Sequence, residues 1–127
     1  MHPAPRFRNE RGLVSKFVEI RSYRLKPGSG REYHRLMTEA ALPLLLRHRV
    51  DVVAHGPSHH DPDAYYLIRA FDSLEHRDRA EDAFYGSAEW RQGPREAVLA
   101  LIETYTEFVV KLDEAVVDGL RRSGEPA

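Results

Sequence analysis

The chain has 127 residues, 42% hydrophobic and 31% charged, a size and balance that suit one globular domain with one hydrophobic core. Its 19 basic and 20 acidic side chains leave a formal net charge of -1, which supplies no global field for nucleic acid or an anionic membrane, so neither is expected as a partner. The absence of cysteine excludes a disulfide framework, a thiolate nucleophile and any cysteine metal site, and with no apolar stretch long enough for a signal core or a membrane span the expected location is cytoplasmic.

Residues 1–14 carry prolines and charges without a hydrophobic period and are expected to form a flexible arm. Alternation over 17–25 predicts a strand with Val18 and Ile20 on one face and Glu19, Arg21 and Tyr23 on the other, ended by Lys26-Pro27-Gly28. Ser29 and Glu32 have the spacing of a capping box. A helix follows over 30–48, with Tyr33, Leu36, Met37, Ala40, Ala41, Leu44 and Leu45 forming one buried stripe. Pro43 withholds an N–H inside that helix, which predicts a bend near Glu39.

Residues 50–55 and 64–71 read as an antiparallel pair of strands joined by the loop 56–63. Asp72 and Glu75 suggest a helix start, with Leu74, Ala80, Ala83 and Phe84 on its buried side as far as Gly86. Ser87 can cap a further turn that carries Trp90, and Pro94 suits the first position of a short helix to about residue 103. Residues 104–112 read as the last strand. The domain is expected to span 15–119, with 120–127 a frayed tail.

This order predicts an α+β fold, a ferredoxin-like βαββαβ arrangement with a four-stranded antiparallel sheet and its helices on one face. Alternation collects Glu19, Arg21, Tyr23, Tyr65, Leu67, Arg69, Phe71, Tyr105 and Glu107 on one side, here expected to be the side without helices. So many large groups on an open face would mark an interface. The expectation is a homodimer, with Glu19, Arg21 and Arg69 at the dimer interface because buried charges are tolerated chiefly when paired.

The run Val18-Glu19-Ile20-Arg21-Ser22-Tyr23-Arg24-Leu25-Lys26-Pro27-Gly28 resembles the opening strand and turn of the NIPSNAP family. Phe84-Tyr85-Gly86-Ser87-Ala88-Glu89-Trp90-Arg91 is similar to that family's Ser-Pro-Glu-Trp segment, with Ala88 in place of the proline. The resemblance covers roughly residues 17–112 and implies a dimeric α/β barrel of ferredoxin-like halves. Its superfamily also holds cofactor-free monooxygenases, polyketide cyclases, lactone isomerases and haem-degrading enzymes. In the haem-degrading branch a helix after the aromatic segment supplies the iron-binding histidine; Gly93-Pro94 stands at about that place here, so no haem is expected.

The densest group of ligand-type residues is His55, His59, His60, Asp61 and Asp63, whose spacing matches no established metal motif and whose residue types also favour turns; no metal and no cofactor are expected. His34 borders the first helix's buried stripe and reads either as a boundary histidine or as a general acid or base. Tyr85 and Trp90 flank a chain break where a pocket wall can form, although core packing explains them as well. The leading expectation is a cofactor-free enzyme of cyclase, isomerase or monooxygenase type acting on an apolar or aromatic small molecule. His34 would move a proton, Tyr85 would donate a hydrogen bond, and Tyr66, Trp90 and Met37 would bind substrate. The alternative is a non-catalytic dimer that binds a small molecule or a protein.

Overall fold

Four strands alternate in side-chain direction along almost their whole length, so each presents one row of side chains to either face of the sheet they build. The computed structural model describes residues 14–123. Their order is β1 (Ser15–Leu25), α1 (Gly30–Leu36), a π-helical turn (Met37–Ala41), α2 (Leu42–Arg47), β2 (Asp51–Pro57), β3 (Ala64–Phe71), α3 (Leu74–Tyr85), α4 (Ala88–Gln92), α5 (Arg95–Ala100), β4 (Ile102–Asp113) and α6 (Glu114–Ser123). The strands stand in the order β2-β3-β1-β4, all antiparallel, which is the ferredoxin-like topology. The expected arm at residues 1–14 lies outside the described residues except for Val14, whose carbonyl accepts from the Glu114 N–H.

Pro43 sits just after the π-helical turn. Without an N–H it cannot donate to the Glu39 carbonyl and its ring crowds that oxygen, so the helix widens over Met37–Ala41 instead of continuing in regular α geometry. Tyr33, Met37, Ala41 and Leu45 remain on one buried stripe across the irregularity. The Lys26-Pro27-Gly28 turn needs its glycine, because Gly28 takes φ 81. The capping box does not form. Ser29 Oγ donates to the Lys26 carbonyl at 2.6 Å, and Glu32 pairs with Arg35 on the solvent side. At α3 the cap is Ser73, whose side chain accepts from the His76 N–H, while Asp72 pairs with Lys16.

The two faces of the sheet are the reverse of the sequence expectation. The core beneath α1 to α5 contains Tyr23, Leu25, Tyr65, Leu67 and Phe71, so the face carrying Glu19, Arg21 and Arg69 is the one the helices cover. Those three residues are therefore not on the open face where a dimer interface was expected. They are at most 9% exposed within a single chain and bond to α3 and β4. The reason is that α3 brings its own charged side chains to meet them, a pairing that strand alternation alone does not disclose.

On the opposite face a second, smaller core joins Val18, Val53 and Ala70 to Val117 of α6, with Val110, Leu112 and Leu120 packed around it. The fraying expected from residue 120 is thus replaced at 120–123 by helix, because Val117 and Leu120 share one apolar face and Arg121 clamps both oxygens of Asp51 at 2.8 and 3.1 Å. The helix leaves part of this face bare, where Phe108 is 58% exposed beside Ile20. Among the described residues no helix is long and apolar enough to cross a membrane, a statement that does not bear on strands.

The packing of α6 gives the first prediction. Val117→Ala should lower unfolding free energy by about 2 kcal/mol in urea titrations, since two buried methyl groups are lost. Val116, half exposed on the same helix, should tolerate the same substitution with a change of about 0.5 kcal/mol or less.

Candidate functional site

A cavity of about 560 Å³ lies between the helices and the sheet. Tyr33, Met37, Ala41 and Leu45 supply one wall, and Phe84, Trp90, Val98 and Leu99 the facing one. Ser87 fixes the second wall locally by accepting the Trp90 N–H at 3.2 Å, which starts α4 and turns the indole inward against Phe84 and Tyr85. The cavity is apolar along its length and polar at one end, where Arg21, Tyr23, Tyr85 and Tyr105 meet. Arg95, Glu103 and Thr104 also line it.

The polar end is built on a buried ionic cluster. Arg69 holds Glu19 through two nitrogens, and Arg77 Nε donates to the other Glu19 oxygen at 2.7 Å. Arg21 donates to Glu107 at 2.7 Å and to Glu81 at 3.0 Å. Its Nη1 reaches Tyr85 at 3.1 Å and Tyr23 at 3.5 Å. Arg69 Nη1 also donates to Tyr85, at 3.0 Å. The Tyr85 oxygen therefore accepts from two guanidinium groups, and its own O–H is left to donate, with two cations polarising it. Tyr33 adds to this character: it is 2% exposed, lines the cavity, and its hydroxyl makes no hydrogen bond with another described residue. Burial pushes the phenol of Tyr23 up to about 12 and raises that of Tyr33 as well, so both keep their protons at neutral pH. The polar end is thus rich in donors and poor in acceptors.

Burial opposes the charge of Glu19, but hydrogen bonding with Glu81 and the fields of Arg69 and Arg21 bring its pKa down to about 2. Glu81 moves the other way, up to about 7, through burial and through sharing a site with Glu19, despite the pull of Arg69 and Arg21. One oxygen each from Glu19, Glu81 and Glu107 lies within 4.8 Å of the others. All three already bond to guanidinium groups, which marks the group as an ion-pair network.

Of the residues singled out in the sequence, Met37, Tyr85 and Trp90 stand on the cavity wall. Tyr66 does not. It pairs with Ser22 on the opposite face, its ring against Gly56, because it is one residue out of phase with Tyr65. His34 does not line this cavity either. It is exposed next to buried Tyr33, about 100° further around the helix, and faces a second hollow of about 590 Å³ with His59, His60 and Asp61. Its Nδ1 lies 2.7 Å from the Tyr65 hydroxyl, which His55 Nδ1 approaches from 3.0 Å. That phenol donates to one imidazole and accepts from the other. The loop 58–63 is held against the start of α1, where the Gly28 N–H donates to Asp63 at 2.9 Å and a side chain at Gly30 would collide with the Pro62 carbonyl. Arg69, Glu81 and Arg77 are the functional residues that sequence reasoning missed or misplaced. The four-residue spacing of Arg77, Glu81 and Tyr85 on α3 is the signal that could have found them.

Residues 18–114 match the family described as NIPSNAP. A NIPSNAP family protein of unknown function from Agrobacterium tumefaciens superposes with a TM-score of 0.71 at 25% identity, covering 77% of this chain and 88% of that one. A second NIPSNAP family protein from the same organism gives a TM-score of 0.71 at 18% identity, covering 78% and 87%. A candidate antibiotic biosynthesis monooxygenase from Bacteroides thetaiotaomicron shares the fold at 12% identity, with a TM-score of 0.57 over 75% of this chain and 87% of that one. A search of curated proteins returns no match to the sequence.

The ionic cluster predicts a specific stability profile. Glu19→Gln should destabilise the protein by about 3 kcal/mol at neutral pH by leaving buried guanidinium groups underpaired. Because the Glu19 pKa is depressed on folding, its contribution is present above pH 4.5 and lost as pH falls toward 2, so acid titration of the variant should show a smaller loss of stability over that window than wild type.

Proposed function

We propose that this chain, which belongs to the NIPSNAP family, uses its helix-side cavity to enclose an apolar or aromatic metabolite and presents a cation-polarised phenol to that molecule's carbonyl or phenolic oxygen. The observation that carries this reading is the Tyr85 hydroxyl, bonded by Arg21 and Arg69 and left with only its proton to offer. Donors fixed in place before the ligand arrives stabilise an oxyanion without reorganising. They suit cofactor-free chemistry that passes through an enolate or phenolate, such as cyclisation, isomerisation or oxygenation. In this scheme Tyr85 stabilises the oxyanion, Met37 and Trp90 hold the ring, and Tyr33 gives a second hydrogen bond.

A non-catalytic binding role has its own support. Among the described residues no imidazole lines the cavity, and the carboxylates of Glu19 and Glu81 stand behind Arg21 and Arg69, away from the lining, which leaves Glu103 as the described carboxylate on the wall. A binding protein needs no base there. The homodimer is also a proposal, with its interface on the open face: exposed Phe108 lies side by side with partly buried Ile20 and Ile68 across β4, β1 and β3, and a second copy would bury the same patch on both partners.

Screening aromatic and polyketide-like compounds by thermal shift and calorimetry should yield a ligand that Val98→Trp, by filling the cavity, prevents from binding. Tyr85→Phe should then weaken affinity by about tenfold, and should lower any turnover by about a hundredfold or more. Binding or turnover that survives both substitutions would remove the cavity from consideration. In sedimentation, wild type should run as a dimer at micromolar concentration and Phe108→Asp as a monomer; a monomeric wild type would end the dimer proposal.

A further inference from the structure

Glu81 is the one member of the ionic cluster whose bonding is incomplete. Its Oε1 accepts from Arg21 at 3.0 Å, but its Oε2 is buried without a hydrogen bond. Arg77 Nε lies 2.9 Å from that oxygen, yet its N–H is directed at Glu19, 2.7 Å away. A carboxylate oxygen left so is costly. A proton on Oε2 removes the deficit, since a neutral carboxyl can donate to the Glu19 carboxylate beside it. The groups facing Glu81 are Glu19 and Arg21 on β1, Arg69 on β3, Arg77 and Tyr85 on its own helix, and Glu107 on β4. Arg21, Arg69 and Arg77 face the carboxylates of Glu19, Glu81 and Glu107, and Arg77 also meets that of exposed Asp78 at 3.4 Å. A proton on Glu81 therefore makes the cluster behind Tyr85 more positive by one charge.

We infer that Glu81 is a positioning residue that carries a proton when the cavity is filled, and that the occupant is an aromatic or apolar anion such as an aryl carboxylate or phenolate. This rests on the cavity reading above. Two independent features agree with it. The polar end offers the O–H groups of Tyr85, Tyr23 and Tyr33 with the guanidinium groups of Arg21 and Arg69 directly behind them, an environment for a negatively charged oxygen. Arg95 on the cavity wall makes no ion pair with another described residue and is available to steer an anion. The Glu81 pKa, raised to about 7 by burial and by its neighbour Glu19, puts this proton within reach at physiological pH. Binding of an anion favours the protonated form, so affinity falls as pH rises through that value, and the anion enters together with a proton.

The test uses 2-naphthoate and its neutral isostere 2-naphthamide, titrated calorimetrically into the full chain at about pH 6 and about pH 8.5. Naphthoate is ionised at both. Wild type should bind naphthoate about tenfold tighter at the lower pH, one pKa unit of coupling being a factor of ten, and should take up a proton near pH 7, seen as a dependence of heat on the buffer's ionisation enthalpy. Naphthamide should bind with no pH dependence. Glu81→Gln, which imitates the protonated carboxyl, should hold the low-pH naphthoate affinity at both values, whereas a merely structural role would leave the profile in place. The inference is overturned if wild-type affinity for naphthoate is flat with pH, or if the dependence persists in Glu81→Gln. Should that variant not fold, proton uptake in wild type decides alone: none, and the inference fails. If naphthamide binds as tightly as naphthoate at low pH, the cavity stands and the anion preference falls. If wild type binds neither probe, the cavity reading falls and takes this one with it.

Discussion

Glu19 and Arg69 stand opposite each other on adjacent strands, both with no exposure to solvent. Two charges removed from water are tolerable only if their remaining hydrogen-bonding capacity is met, and neither residue can satisfy the other fully. Arg77, Glu81 and Tyr85 of α3 complete the set, recurring every four residues so that one face of the helix delivers all three. The register of α3 on the sheet is therefore dictated by charge as much as by apolar packing. Once α3 is placed, Phe84 is buried and Tyr85 meets the two guanidinium groups, and α4, capped at Ser87, brings Trp90 alongside them. The cavity's second wall follows from the ion pair.

The fold was legible because its signals were local. Alternation marked β1, β3 and β4, the stripe from Tyr33 to Leu45 marked the first helical stretch, and Pro43 marked the irregularity within it. Residues whose roles depend on distant partners were not. Ser29 had the spacing of a cap but found the Lys26 carbonyl nearer than an N–H of its own helix, and Ser73 took the cap that Asp72 had seemed to offer. The segment from residue 120, expected to fray, is held as helix to Ser123 because Val117 and Leu120 anchor it to the sheet.

The site was legible in part for the same reason. Met37 and Trp90 carry their information in the apolar pattern of their own segments and stand on the cavity wall. His34 was misplaced by one residue's worth of rotation, since the residue before it is the one that faces inward. The exchange of sheet faces had a more general cause. Ranking the two rows of β1 by hydrophobicity puts Val18 and Ile20 inside and Glu19 and Arg21 outside, but that ranking assumes that charges seek water. Here they seek α3, which carries as many charges in a matching pattern.

The same row of β1 also grades from ionic to cavity-forming. Glu19 is wholly enclosed in ion pairs. Arg21, the next residue on that face, shares itself between carboxylates on one side and the Tyr85 and Tyr23 hydroxyls on the other. Tyr23, the next again, packs on Tyr33 and Tyr105 and lines the cavity. Each step along β1 passes less charge and more apolar surface toward the cavity, so that on this strand the ion pairs lie behind the hydroxyl donors and aromatic rings. Such an arrangement keeps the donors polarised, because the guanidinium groups behind them stay charged, and spares the ligand direct competition with a carboxylate at the point of contact. The Glu-x-Arg-x-Tyr spacing of residues 19, 21 and 23 is a device for building that gradient along a single strand, and it works only because strand geometry returns every second side chain to the same face.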